Sequence, residues 1–68
     1  MSMAIQKITI KEVHWFYDHV IIHGTEGEEL SFPSGQSAWL VAVKPGMTLV
    51  RFEDGRYTAT TDPDQFEV

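Results

Sequence analysis

Residues 11–24, KEVHWFYDHVIIHG, decide how the rest of this chain can fold. The stretch packs three aromatic rings, three histidines and four β-branched residues into fourteen positions. Two readings compete for it. As a helix over about residues 10–23, it has a capping box at Thr9 and Glu12, a hydrophobic staple at Ile8 and Val13, and Gly24 as its stop. Val13, Phe16, Tyr17, Val20 and Ile21 also recur at helical spacing. Against this, almost every residue costs about 0.5 kcal/mol relative to alanine in a helix, or about 7 kcal/mol over the segment. Trp15 and Ile22 would lie on the polar face.

As strands, the same residues suit a pleated surface. Ile8 and Ile10 alternate, as do Val13 and Trp15, then Val20 and Ile22. One strand of that length exceeds the ordinary range, so a bend is required near Lys11-Glu12 or around Tyr17-Asp18-His19. The strand reading is preferred.

Downstream, Asp54-Gly55 sits between two β-rich runs, a hairpin signal for a two-residue type I′ turn. That turn sets Glu53 against Arg56, Phe52 against Tyr57, Val50 against Ala59 and Thr48 against Thr61. The core face would collect Phe52, Tyr57, Val50 and Ala59, leaving Arg51, Thr58, Leu49 and Thr60 mostly wet. Lys44-Pro45-Gly46 has the order of a type II turn. Ser37–Val43, a continuous apolar run, reads as a buried strand. Phe32–Gln36 reads as a loop, Glu28–Phe32 as a strand, and Gly24–Gly27 as the turn before it. In the tail, Asp62 and Pro63 can start a single helical turn.

These elements define one small domain over residues 1–68, mainly β. The expected fold is a small, strongly bent antiparallel sheet or SH3-like barrel of five to six short strands. The alternative is α+β, with the 10–23 helix packed on an antiparallel sheet.

The chain has 68 residues and no cysteine, which excludes disulfides and thiolate metal sites. A domain this small retains only about 3–5 kcal/mol of net stability, which favours self-association. The start lacks a basic region followed by an apolar run, and no apolar stretch approaches a membrane span, so a cytoplasmic protein is expected. The formal net charge is −5, with residues 1–24 balanced, residues 25–36 at −3, residues 37–56 at +1 and residues 57–68 at −3. Five basic residues equip the chain poorly for a phosphate backbone.

Motif chemistry is sparse. His19 and His23 would share an ion on a helix but would sit about 13 Å apart on a strand, and no third ligand stands at a standard spacing. Asp62, Asp64 and Glu67 lack the glycine and length of a calcium loop. Gly24–Gly27 lacks the lysine of a phosphate loop. Trp15, Phe16 and Tyr17 invite a base-stacking reading, but neighbouring strand residues point to opposite faces.

No catalytic residue, metal or cofactor is therefore assigned. The expected function is a non-enzymatic, acidic protein-interaction module, an inhibitor or accessory protein that binds another protein, itself, or both. Its apolar anchors would be Trp15, Tyr17, Val20 and Ile22, with Glu26, Glu28 and Glu29 as an acidic rim. The alternatives are a structural assembly subunit and a small-barrel nucleic-acid-binding protein.

Overall fold

β1 (Ala4–Trp15) is twelve residues long, and eleven rises of about 3.3 Å would carry it about 36 Å if straight. The described residues extend 33 Å along their longest principal axis, and β1 is bent, with a register irregularity in each half. The computed structural model describes residues 3–35 and 38–66. In it β1 serves two neighbours in turn. Its first half pairs antiparallel with β4 (Thr48–Phe52), its second half with β2 (His19–Gly24). β3 (Glu29–Pro33) adds to β2, and β5 (Tyr57–Thr60) adds to β4, giving one antiparallel sheet in the order β3-β2-β1-β4-β5. The sheet does not close, so the bent-sheet form of the expectation holds and the closed barrel does not. The helix alternative fails, because residues 10–15 and 19–23 lie in paired strands.

Two irregularities in β1 make the bend, one between Ala4 and Gln6 and one between Ile10 and Glu12. Each inserts one unpaired residue and so reverses which side chains face the core. Ile8 and Ile10 point inward, and after the second bulge Val13 takes over, opposite Ile22. Without that bulge Glu12 and His14 would inherit the inward position. The bend thus falls at Lys11-Glu12, one of the two places that the alternation of Ile8, Ile10, Val13 and Trp15 demands. The other place, Tyr17-Asp18, becomes the β1–β2 connection, closed by the Phe16 N–H donating to the His19 carbonyl at 2.9 Å.

The core gathers Ile8, Ile10, Val20, Ile22, Leu40, Val43 and Leu49. Ala38–Ala42 is a 3-10 helix, not the strand expected for Ser37–Val43; Ser37 lies outside the described residues. At three residues per turn, Leu40 and Val43 stack on one side while Val41 stays 76% exposed. Strand alternation would have turned Val41 and Val43 the same way. Pro45-Gly46 forms the expected type II turn, with Gly46 at φ 93° and the Met47 N–H donating to the Lys44 carbonyl at 3.2 Å.

The β4–β5 hairpin forms around Asp54-Gly55, but one residue out of the expected register. Arg51 faces Tyr57, Val50 faces Thr58, Leu49 faces Ala59 and Thr48 faces Thr60. The loop is a three-residue one, Glu53-Asp54-Gly55. The Gly55 N–H donates to the Phe52 carbonyl at 3.0 Å and the Phe52 N–H to the Arg56 carbonyl at 2.8 Å. Only Gly55 has a positive φ, 90°, as a type I turn followed by a bulge requires; a type I′ turn would need Asp54 there as well. Arg56 Nε meets Asp54 Oδ2 at 2.7 Å, in place of the expected pairing with Glu53.

The slip moves Leu49, expected to be wet, into the core with Tyr57 and Ala59. Val50 faces the other way and is equally buried. On Val50's side lie Phe52 and its register partner Ala4, and Phe66 meets Phe52 edge-on at 5.5 Å. Phe66 follows the 3-10 turn Pro63–Gln65, the single turn expected in the tail, although Asp62 makes no side-chain capping bond.

Gly24 is the glycine with no room around it. A Cβ there would lie 2.6 Å from Ile8 Cγ2 and would collide with the Glu28 carboxyl group. Gly24→Ala is expected to lower unfolding stability by about 1–3 kcal/mol, the usual cost of overfilling a packed core. Urea denaturation of the two proteins measures it, and an unchanged midpoint would contradict this packing.

Candidate functional site

β2 lies between β1 and β3, and its two faces have different fates. Val20, Ile22 and Gly24 turn inward and are buried, while His19, Ile21 and His23 face the other side. Val20 and Ile22 are both 0% exposed. This corrects their expected place among the surface anchors. They are core residues, held there by the same alternation that suggested a strand.

Trp15 and Tyr17 do reach the surface. Trp15 ends β1, and Tyr17 forms the β1–β2 connection with Asp18. Tyr17 is 101% exposed, and Trp15 and Phe16 are each 51% exposed. Phe16 is not among the expected anchors, because strand alternation places it opposite its neighbours. It stands outside β1, however, so alternation does not govern it; its ring stacks on His19 at 4.7 Å with planes 9° apart. The signal for it was the position of the bend itself. A turn at Tyr17-Asp18 exposes whatever precedes it.

The acidic residues occupy the opposite end of β2. Glu26 and Glu29 are exposed, and Glu28 is half-buried, its Oε1 accepting the Glu26 N–H at 2.9 Å inside the β2–β3 turn. Five rises of β2 separate this turn from the aromatic tip, about 17 Å. The rim therefore does not surround the anchors. Tip and acidic turn are two separate surfaces.

Between them, on the outward face of β1–β2–β3, runs a row of titratable groups. The register sets Glu12 beside His23 and His23 beside Glu29. His14 Nε2 meets Glu12 Oε2 at 3.1 Å, His23 Nδ1 lies 3.7 Å from Glu29 Oε1, and the His14 and His23 rings meet edge-on at 5.3 Å. The hydrogen bond with His14 is the main reason the Glu12 carboxyl sits below its ordinary value; partial desolvation opposes it, and the charges of His14, Lys11 and His23 add to it. Asp18 is lowered likewise, first by its bond to His19 Nδ1 at 2.6 Å and then by a backbone hydrogen bond. His19 and His23 are at opposite ends of one strand, each with its own carboxylate. Among the described residues no three His, Asp or Glu side chains converge as metal ligands would.

One groove opens where the sheet fails to close, between β3 and the β4–β5 hairpin. It measures about 540 Å³ and is walled by Phe32, Trp39 and Tyr57, with Ser31, Pro33 and Arg56 at its margins. Phe32 meets both other rings edge-on, Trp39 at 5.3 Å and Tyr57 at 5.1 Å. These half-buried rings are partners of the core. Among the described residues no helix is long and apolar enough to cross a membrane. Comparisons with protein-family models, with curated proteins and with solved structures find no match.

A carboxyl whose folded-state value is depressed stabilises the fold above its ordinary titration and loses that contribution as pH falls through the folded-state value. Glu12 and Asp18 therefore act on the acid side of the usual carboxylate range. In an NMR titration the Glu12 midpoint should lie below that of an ordinary glutamate and should rise in His14→Ala. A Glu12 midpoint indifferent to His14→Ala would disprove the assigned cause.

Proposed function

We propose that this chain is a non-enzymatic interaction module that docks on another protein through its β1–β2 tip, with Trp15 and Tyr17 as anchors and Phe16 beside them. The observation that carries this reading is the exposure of all three rings at one hairpin connection. Folding had apolar partners to offer, since Phe32, Trp39 and Tyr57 pack on the core, yet Tyr17 stays in solvent and Trp15 and Phe16 remain about half exposed. Tryptophan and tyrosine dominate the energy of many protein interfaces, because each covers a large area at small conformational cost. A projecting tip suits a concave partner.

The carboxylates add direction. Glu26 and Glu29 at the far turn, with Asp62 and Asp64 in the tail, are exposed. Excess negative charge steers approach toward a basic partner and speeds encounter more than it tightens the complex. The same imbalance argues against nucleic acid, whose affinity comes largely from neutralised phosphates. An inhibitor or accessory role fits a surface that offers anchors and charge without a shielded cleft around its histidine–carboxylate pairs.

The test compares capture by the intact protein with capture by a Trp15→Ser/Tyr17→Ser double variant. Both side chains lie outside the buried core, so the variant should keep its thermal midpoint within a few degrees. A partner held by the intact protein should fall at least about tenfold in retention, the loss of one anchoring ring being worth that much. Equal retention by the two proteins would end the tip reading.

A further inference from the structure

We propose that the outer edge of β3 pairs with the same edge of a second copy of this chain, antiparallel, about a two-fold axis at Ser31. This surface is independent of the β1–β2 tip.

The backbone bonds of β3 fix which of its groups are free. The Gly24 N–H donates to the Glu28 carbonyl at 2.9 Å, and the Ser34 N–H donates to the Asp18 carbonyl at 3.1 Å. Both contacts fall in the β2–β3 register, in which His19 faces Pro33 and His23 faces Glu29. Bonded pairs alternate along an antiparallel ladder, so Glu28, Leu30, Phe32 and Ser34 turn their backbone groups toward β2. Glu29, Ser31 and Pro33 turn theirs away. β3 is the last strand of the sheet, and no described residue pairs with that side. The edge thus presents N–H donors at Glu29 and Ser31 and carbonyl acceptors at Glu29, Ser31 and Pro33. Proline supplies no donor.

That pattern complements itself. With Ser31 on the axis, each Ser31 N–H reaches the other Ser31 carbonyl, and each Glu29 N–H reaches the other chain's Pro33 carbonyl. Every donor on the edge is used, and the proline faces a position where a donor is missing only for a carbonyl that water can serve. On the outward face Glu29 lies across from Pro33, so the two Glu29 carboxylates stay about 13 Å apart. On the inward face Leu30 lies across from Phe32, adding an apolar pair beside the aromatic groove. Neighbouring registers do worse. Centring on Leu30 puts the two Glu29 side chains in diagonal contact, and centring on Phe32 sets Pro33 against Ser31 and loses two bonds. Charge and proline are common guards of an edge strand; here both are compatible with the Ser31 register, while charge opposes the Leu30 register and proline the Phe32 register.

The chain contains no cysteine, so Ser31→Cys gives a clean probe. Directly opposed residues of a bonded pair have Cα atoms about 5.5 Å apart, within reach of a disulfide. Mild oxidation at millimolar protein should link Ser31→Cys into a dimer and leave Glu29→Cys largely monomeric. Unmodified protein should double in mass by sedimentation between micromolar and millimolar concentration, with slower hydrogen exchange at the Ser31 and Glu29 amides. Ser31→Pro removes only an outward donor, and symmetry doubles its effect; it should weaken the dimer at least about tenfold. If that variant loses its thermal transition, Ser31→Lys opposes two like charges on the exposed face and should weaken the dimer equally. A protein that stays monomeric at millimolar concentration overturns the proposal. So does equal cross-linking of the two cysteine variants, or a dimer that survives both Ser31 variants. A dimer lost only in Trp15→Ser/Tyr17→Ser places the contact at the tip and likewise overturns it.

Discussion

The phase of β1 governs everything else in this fold. A strand shows alternate residues to alternate faces, and Ile8 and Ile10 share a parity that Val13 and Trp15 do not. One regular strand would have buried Glu12 and His14 with the isoleucines, leaving a carboxylate in a core that has no partner for it. The unpaired residue between Ile10 and Glu12 removes that conflict. The same bulge turns β1 away from β4 and toward β2, so one strand belongs to both halves of the sheet. The Ile10 N–H still donates to Met47, and the Ile10 carbonyl accepts the Gly46 N–H, both at 2.9 Å. β1 departs with its last polar groups satisfied. The first bulge repeats the device, turning Ala4 to the side of Phe52 and away from that of Leu49.

β4 carries the complementary burden. Thr48, Leu49 and Val50 are consecutive and all buried, which in a strand requires cover on both faces. On Leu49's side the cover is the main core. On Val50's side lie Ala4, Phe52 and Phe66. A chain of this length has little surface to spend, so enclosing a central strand on both faces leaves little cover for the sheet margins. That is why Phe32 and Tyr57 remain half-buried and the sheet stays open between them.

The sequence made much of this legible through alternation and turns. Ile8/Ile10, Val13/Trp15 and Val20/Ile22 located the strands and the need for a bend, and Pro45-Gly46 and Asp54-Gly55 located two turns. What it did not encode locally was register. Asp54-Gly55 serves a two-residue or a three-residue loop equally well, and the choice lies in how Leu49 and Val50 are each covered at long range. The same limit hid the 3-10 helix at Ala38–Ala42. An apolar run of six residues has no period of its own, and only the core, which wants Leu40 and Val43 together, selects three residues per turn. For the candidate surface the outcome divided along the same line. Trp15 and Tyr17 flank a turn and stay outside, whereas Val20 and Ile22 lie on the core-facing side of β2.

An open sheet must do something with its margins, and the two margins here are not alike. β5 carries Tyr57, Thr58, Ala59 and Thr60, with neither charge nor proline, and the Ala38–Ala42 helix packs against it. β3 meets that helix through the Phe32 and Trp39 rings, and it carries Glu29 and Pro33 on its outward ladder positions. Those two residues are what a sequence would use to discourage indiscriminate strand pairing. They do not remove the Ser31 donor and acceptor between them. Guarding the ends of an edge while leaving its centre open restricts pairing to partners whose own ends fit. A foreign strand must match a charged position and a donorless one separated by four residues. A second copy of β3 run antiparallel brings each beside the other, as its own sequence requires.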